Sequence, residues 1–88
     1  MEIKPDDTEA WYNKGLTLGK LGRSEEELRC YDRALEIKPD YANAWRNKGA
    51  TLYFLKRYPE ARKAFEHAVE LGNKKASQAL EVMAQEGH

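Results

Sequence analysis

The sequence predicts an all-α fold, an α-solenoid fragment of two helix–turn–helix repeats followed by a C-terminal capping helix. Three observations predict it. The chain copies itself at a period of 34 residues: Thr8–Tyr41 aligned on Ala42–Lys75 gives 12 identities, among them Trp11/Trp45, Asn13/Asn47, Gly15/Gly49, Leu18/Leu52, Leu21/Leu55 and Ala34/Ala68. A period of this length marks one supersecondary unit stacked on copies of itself. Within each unit, apolar and small residues recur at helical spacing. Glycine and proline signals then separate the periodic segments.

The first helix carries Trp11, Gly15, Leu18 and Leu21 at i, i+4, i+7 and i+10, one stripe of a 3.6-residue period. Leu21-Gly22-Arg23 breaks it. Ser24 to Glu27 reads as a capping box opening the second helix, with Ser24 accepting from the amide three residues on and Glu27 reaching back. That helix turns Leu28, Tyr31, Ala34, Leu35 and Ile37 inward. Lys38-Pro39-Asp40 stops it, because a proline disfavours helical geometry in the residue before it.

The second unit repeats the plan. Trp45, Gly49, Leu52 and Leu55 form its first stripe, and Pro59 sits at the expected first position of the next helix, where a missing amide costs nothing. Ala61, Ala64, Phe65, Ala68, Val69 and Leu71 form the inward side. Gly72-Asn73 ends this helix, the glycine taking the left-handed conformation. The capping helix falls within residues 74–86, with Ala76, Ala79, Leu80 and Met83 on the covered side.

Glu2-Ile3-Lys4-Pro5-Asp6 is identical to Glu36-Ile37-Lys38-Pro39-Asp40, again 34 residues apart. Residues 1–7 therefore read as the tail of a preceding repeat, either a piece of a longer array or an end that lost its upstream unit. Residues 8–41 and 42–75 are the two units, and 1–88 make a single domain. An exposed repeat face leaves apolar surface uncovered, so self-association into a homo-oligomer is expected.

Composition excludes several classes. Charged residues are 34% of the 88 and hydrophobic ones 41%, the balance of a soluble helical surface. Lys plus Arg equals Asp plus Glu at 15 each, which argues against nucleic acid or an anionic membrane as partner. No apolar run approaches the ~18 residues of a membrane span. Met1–Asp7 is charged and contains Pro5, unlike a signal peptide. One cysteine, Cys30, cannot form an internal disulfide, which points to a reducing, cytoplasmic setting.

No reactive constellation is visible. Cys30 lies among core-directed residues without a histidine in any nucleophile motif, and reads as a packed thiol. His67 reads as a solvent-facing side chain. Metal-ligand spacing and phosphate-binding glycine motifs are missing, so no catalytic, cofactor or metal residue is assigned, and the chain is expected not to be an enzyme. Glu25-Glu26-Glu27 complements a helix dipole.

Trp11/Trp45, Gly15/Gly49, Tyr31/Phe65, Ala34/Ala68 and Pro39, at a 34-residue helical-hairpin period, resemble the tetratricopeptide repeat family from Thr8 to about Lys75. The resemblance implies close helix contact at the glycines and aromatics filling the space between helices, with Trp45 in the core. Glu27 departs from it by standing where the family has a small residue, and Lys14 and Lys48 stand where leucine is frequent. Glu27 has two readings: capping-box duty, or a loosened first helix pair. The lysines are expected to lay their methylenes over a groove wall and keep their charges wet.

The resemblance also implies a shallow superhelix whose inner face is lined by the first helix of each unit. Carried over, that face presents Glu9, Tyr12, Asn13, Leu16 and Lys20, then Asn43, Arg46, Asn47, Ala50, Tyr53 and Phe54. The expected function is a protein-interaction scaffold binding a partner peptide through Tyr12, Asn13, Leu16, Asn43, Arg46, Asn47, Tyr53 and Phe54. Asn13 and Asn47, one repeat apart, are read either as an asparagine ladder for a peptide backbone or as ordinary surface residues. Arg46 can hold a carboxylate. The family subtype that clamps chaperone C-termini is not expected: Asn47 fits it, but Tyr12, Leu16, Ser77 and Glu81 stand where its other basic and asparagine residues belong. The rival reading is a structural module that assembles through its exposed repeat faces.

Overall fold

In the computed structural model, which describes residues 6–88, five α-helices follow one another: α1 (Thr8–Lys20), α2 (Ser24–Ile37), α3 (Ala42–Phe54), α4 (Tyr58–Glu70) and α5 (Lys74–Gln85). Each helix packs on the next in chain order, giving a slab of 42 × 27 × 16 Å. The reading of residues 1–7 as a repeat tail falls largely outside the described residues. Among those residues, no helix is long and apolar enough to cross a membrane, and no cluster of His, Cys, Asp or Glu is arranged to hold a metal.

The turn inside each hairpin is built the same way. Arg23 donates its amide to the Leu18 carbonyl at 2.9 Å, and Arg57 donates to Leu52 at 2.9 Å. This is the six-to-one bond of a Schellman turn, and it requires a left-handed residue just before the donor. Gly22 supplies it in the first hairpin at φ 77°, whereas the second uses Lys56 at φ 62°. Asn73 donates to Ala68 in the same manner after Gly72 at φ 91°, as expected for that pair. Asp7 caps α1 by accepting from Ala10 at 2.9 Å, and Asn73 caps α5 by accepting from Ala76 at 3.0 Å.

The expected capping box at α2 does not form. Its N-cap is Arg23, without a side-chain bond, and Ser24 is already inside the helix. Glu27 reaches across to Tyr31 instead, accepting the Tyr31 hydroxyl at 2.6 Å. Pro59 lies one place further into its helix than expected, since α4 begins at Tyr58.

The core is made by the two hairpin contacts and their junctions. Tyr31, Ala34, Ala44, Ala61, Ala68 and Ala76 are fully buried, with Leu52, Ala64 and Met83 almost so. Alanine recurs because helix axes cross closely there, and a larger side chain would force them apart. The helical glycines Gly15 and Gly49 lie directly against the rings of Tyr31 and Phe65. Cys30 is buried as expected, and that burial pushes its thiol pKa up.

Two expected inward residues are exposed. Leu21 is 66% exposed and Leu71 is 40% exposed, since each stands at a helix C-cap where the chain turns out. Trp45 is only half-buried: its indole stacks on His67 with ring centres 4.3 Å apart and donates Nε1 to the Pro39 carbonyl at 2.8 Å. It seals the edge of the core rather than filling it, and His67 is exposed but occupied by this stack.

Candidate functional site

The region between α1, α2 and α3 holds a cavity of about 440 Å³ lined by Leu16, Gly19, Lys20, Gly22, Ser24, Glu27, Tyr31, Asn47, Ala50, Thr51 and Phe54. Its origin is a glycine. Gly19 has no side chain to fill the space, and the Glu27 carboxylate lies against its backbone instead; a Cβ at Gly19 would stand 2.5 Å from Glu27 Oε2. Tyr31 holds that carboxylate from below. The phenol's pKa is raised far above the usual tyrosine value, first by burial and then by its hydrogen bond to Glu27, so it remains a donor.

A second cavity of about 210 Å³, between α3, α4 and α5, is lined by Ala50, Tyr53, Phe65, Ala79, Val82 and Met83. Subtracting 34 from Ala50, Tyr53 and Phe65 gives Leu16, Gly19 and Tyr31, all three in the first cavity. The two are therefore the same site one repeat apart. Tyr53 fills the room that Gly19 leaves open, Ala61 stands in place of Glu27, and Phe65 lacks the hydroxyl of Tyr31. The first site is larger and carries a carboxylate, Glu27, with Lys20 also in its lining, and the second is smaller and apolar.

Of the sequence-predicted residues, Leu16, Asn47 and Phe54 line the first cavity, and Tyr53 lines the second. Phe54 is 75% exposed at the cavity edge. The two asparagines of the expected ladder are placed differently. Asn13 is exposed and absent from the lining, while Asn47 donates Nδ2 to the Tyr12 hydroxyl at 2.5 Å, tying α3 to α1. Tyr12 is itself packed on Tyr41 and Tyr31, with ring centres 5.0 and 5.9 Å away. It supports the wall more than it offers itself.

Asn43 stands elsewhere, accepting from Asn73 at 3.1 Å on the surface. Arg46 is half-buried, with Nε lacking an acceptor among the described residues. The lysines are placed differently from expectation. Lys48 pairs with Asp32 of α2 at 2.7 Å and lies over the Trp45 ring, and Lys14 lies over Trp11. Lys48 serves the face packed on α2, while Lys14 stays exposed beside the tryptophan of its own helix.

Gly19, Glu27, Tyr31 and Thr51 are cavity residues that the site prediction missed. Reading the two units against each other holds the signal: Gly19/Tyr53 and Glu27/Ala61 exchange large and small across facing helices.

Stacked helical hairpins whose shared surface carries the cavities define an α-solenoid. The chain belongs to the tetratricopeptide repeat family: residues 8–41 match the repeat once and residues 42–75 match it again. Tetratricopeptide repeats generally act as non-enzymatic modules that bind protein partners. The crystal structure of MamA is similar, with a TM-score of 0.75, 28% identity and 82% of this chain covered. The matched region spans 42% of that MamA chain. No curated protein matches.

Proposed function

We propose that this chain is a scaffold that holds a partner peptide along the surface of α1 and α3, across the two cavities. The carrying observation is the pair of repeat-related cavities with Phe54, a large apolar side chain left 75% exposed at the edge of the first. A rigid aromatic at the edge of a concave site is the kind of residue on which a peptide side chain closes. The repertoire is that of a binding surface, with hydrogen-bond acceptors and apolar walls but no activated nucleophile.

Selection of a random-peptide library on the immobilised chain tests this. The selected peptides should lose about tenfold or more in affinity on Phe54→Ala and on Leu16→Ala, as for truncated anchor residues. Phe54→Ala should leave the melting temperature unchanged, because the ring is exposed. Asn47 is a poorer probe, since it also ties α1 to α3. Peptides that bind these variants as well as the parent would remove the groove reading.

Self-assembly is favoured by a different observation. Trp11 borders a cavity of about 280 Å³ with Lys14, Leu18 and Arg33, on the face that in the second unit packs against α2. Assembly through this face predicts a concentration-dependent mass in sedimentation that Trp11→Ala abolishes. A monomer at all concentrations removes it.

A further inference from the structure

We propose that the first cavity is a subsite for a lysine side chain of the bound peptide, with the second cavity taking an apolar residue of the same peptide. This rests on the peptide-scaffold reading above and adds what the peptide must carry. The argument starts from an exchange between the units. Where the second has Tyr53, Ala61 and Phe65, the first has Gly19, Glu27 and Tyr31. All three differences act on one spot: the glycine opens space, the glutamate puts a carboxylate into it, and the tyrosine hydroxyl holds that carboxylate at 2.6 Å.

The carboxylate is held but not neutralised. Tyr31 donates to Oε2, leaving Oε1 as an acceptor, and Glu27 makes no ion pair among the described residues. Lys20, the one cation of the lining, is not paired with it. Asn47 spends Nδ2 on Tyr12 and keeps Oδ1 as a second acceptor in the same lining. An ammonium group carries three donors on a flexible apolar stem, whereas a guanidinium is best served by both oxygens of a free carboxylate. With one oxygen already engaged, the compact ammonium is the better match, and Leu16, Ala50 and Phe54 offer surface for its methylenes. The second cavity has no charged or polar side chain except the Tyr53 hydroxyl, which is donated to Glu86.

The test uses the peptides selected on the parent chain. Their sequences should be enriched in lysine. The strongest binder is titrated by fluorescence anisotropy against the parent and Glu27→Gln, and so is its lysine-to-norleucine analogue. Glu27→Gln keeps the shape and an oxygen for Tyr31, and circular dichroism checks that it folds like the parent. The lysine peptide should lose about tenfold on Glu27→Gln, the lower end for a hydrogen bond to a charged group. The norleucine analogue should bind both proteins equally. Peptides that depend on Phe54 but carry no lysine, or that ignore Glu27→Gln, overturn the lysine subsite and leave the groove standing. Peptides insensitive to both Phe54→Ala and Glu27→Gln overturn the two readings together.

Discussion

The three helical glycines that face another side chain respond differently to the same added methyl group. At Gly49 a Cβ would stand 2.8, 2.9 and 3.0 Å from three Phe65 ring atoms, and at Gly15 it would stand 2.6, 3.0 and 3.2 Å from the Tyr31 ring. Both rings are buried, at 4% and 0% exposure, so neither can swing away without moving a helix. Overpacking of this kind costs about 1–3 kcal/mol. Replacing a mid-helix glycine by alanine returns about 0.5–1 kcal/mol of backbone entropy. Gly15→Ala and Gly49→Ala should therefore each destabilise by about 1–2 kcal/mol net, a fall in melting temperature of roughly 5–15 °C for a domain of this size. Gly19→Ala meets only the far end of the Glu27 side chain, 2.5 Å from Oε2, which can rotate outward. It should melt close to the parent, because the helical gain of about 0.5–1 kcal/mol is offset by the Tyr31 hydrogen bond given up as the carboxylate leaves the cavity. Thermal melts followed by circular dichroism decide this. A Gly49→Ala variant as stable as the parent, or a Gly19→Ala variant as damaged as Gly49→Ala, would refute the reasoning that helix contact rather than propensity keeps these glycines.

Two further outcomes are expected. Lys56 holds the left-handed place that Gly22 holds in the first hairpin, so Lys56→Gly should stabilise the chain by about 1 kcal/mol, read as a higher urea midpoint; a lower midpoint would show that the turn is unstrained. The Tyr31 phenol keeps its proton in the fold above the pH of about 10 at which an unfolded tyrosine releases it, so its contribution to stability is complete below that pH and declines as pH rises further. Urea midpoints followed from pH 9 upward should therefore fall less steeply in Tyr31→Phe than in the parent, and identical slopes would remove the coupling.

Much of the fold was legible in the residues because a repeat states its packing rules twice. Trp11/Trp45, Gly15/Gly49 and Ala34/Ala68 mark positions where only certain sizes fit, and the five helices fall where the periodicity placed them. The candidate site was legible in part: Leu16, Asn47, Tyr53 and Phe54 line the two cavities, while Asn13 and Asn43 stand outside them. Periodicity names a helix face, but a cavity depends on which side chains from other helices leave room.

The order of the helices and the repeat family follow from the sequence alone, because they rest on contacts near in the chain or copied at a fixed interval. Glu27 is the contrary case. Its neighbours in sequence suggest a cap, yet its partners are the backbone of Gly19 on another helix and a hydroxyl one turn along its own. Trp45 likewise reads as core until Pro39 and His67 are seen to draw it to the edge. Only tertiary packing decides such roles, because the free energy of a side chain depends on space and partners that distant segments supply.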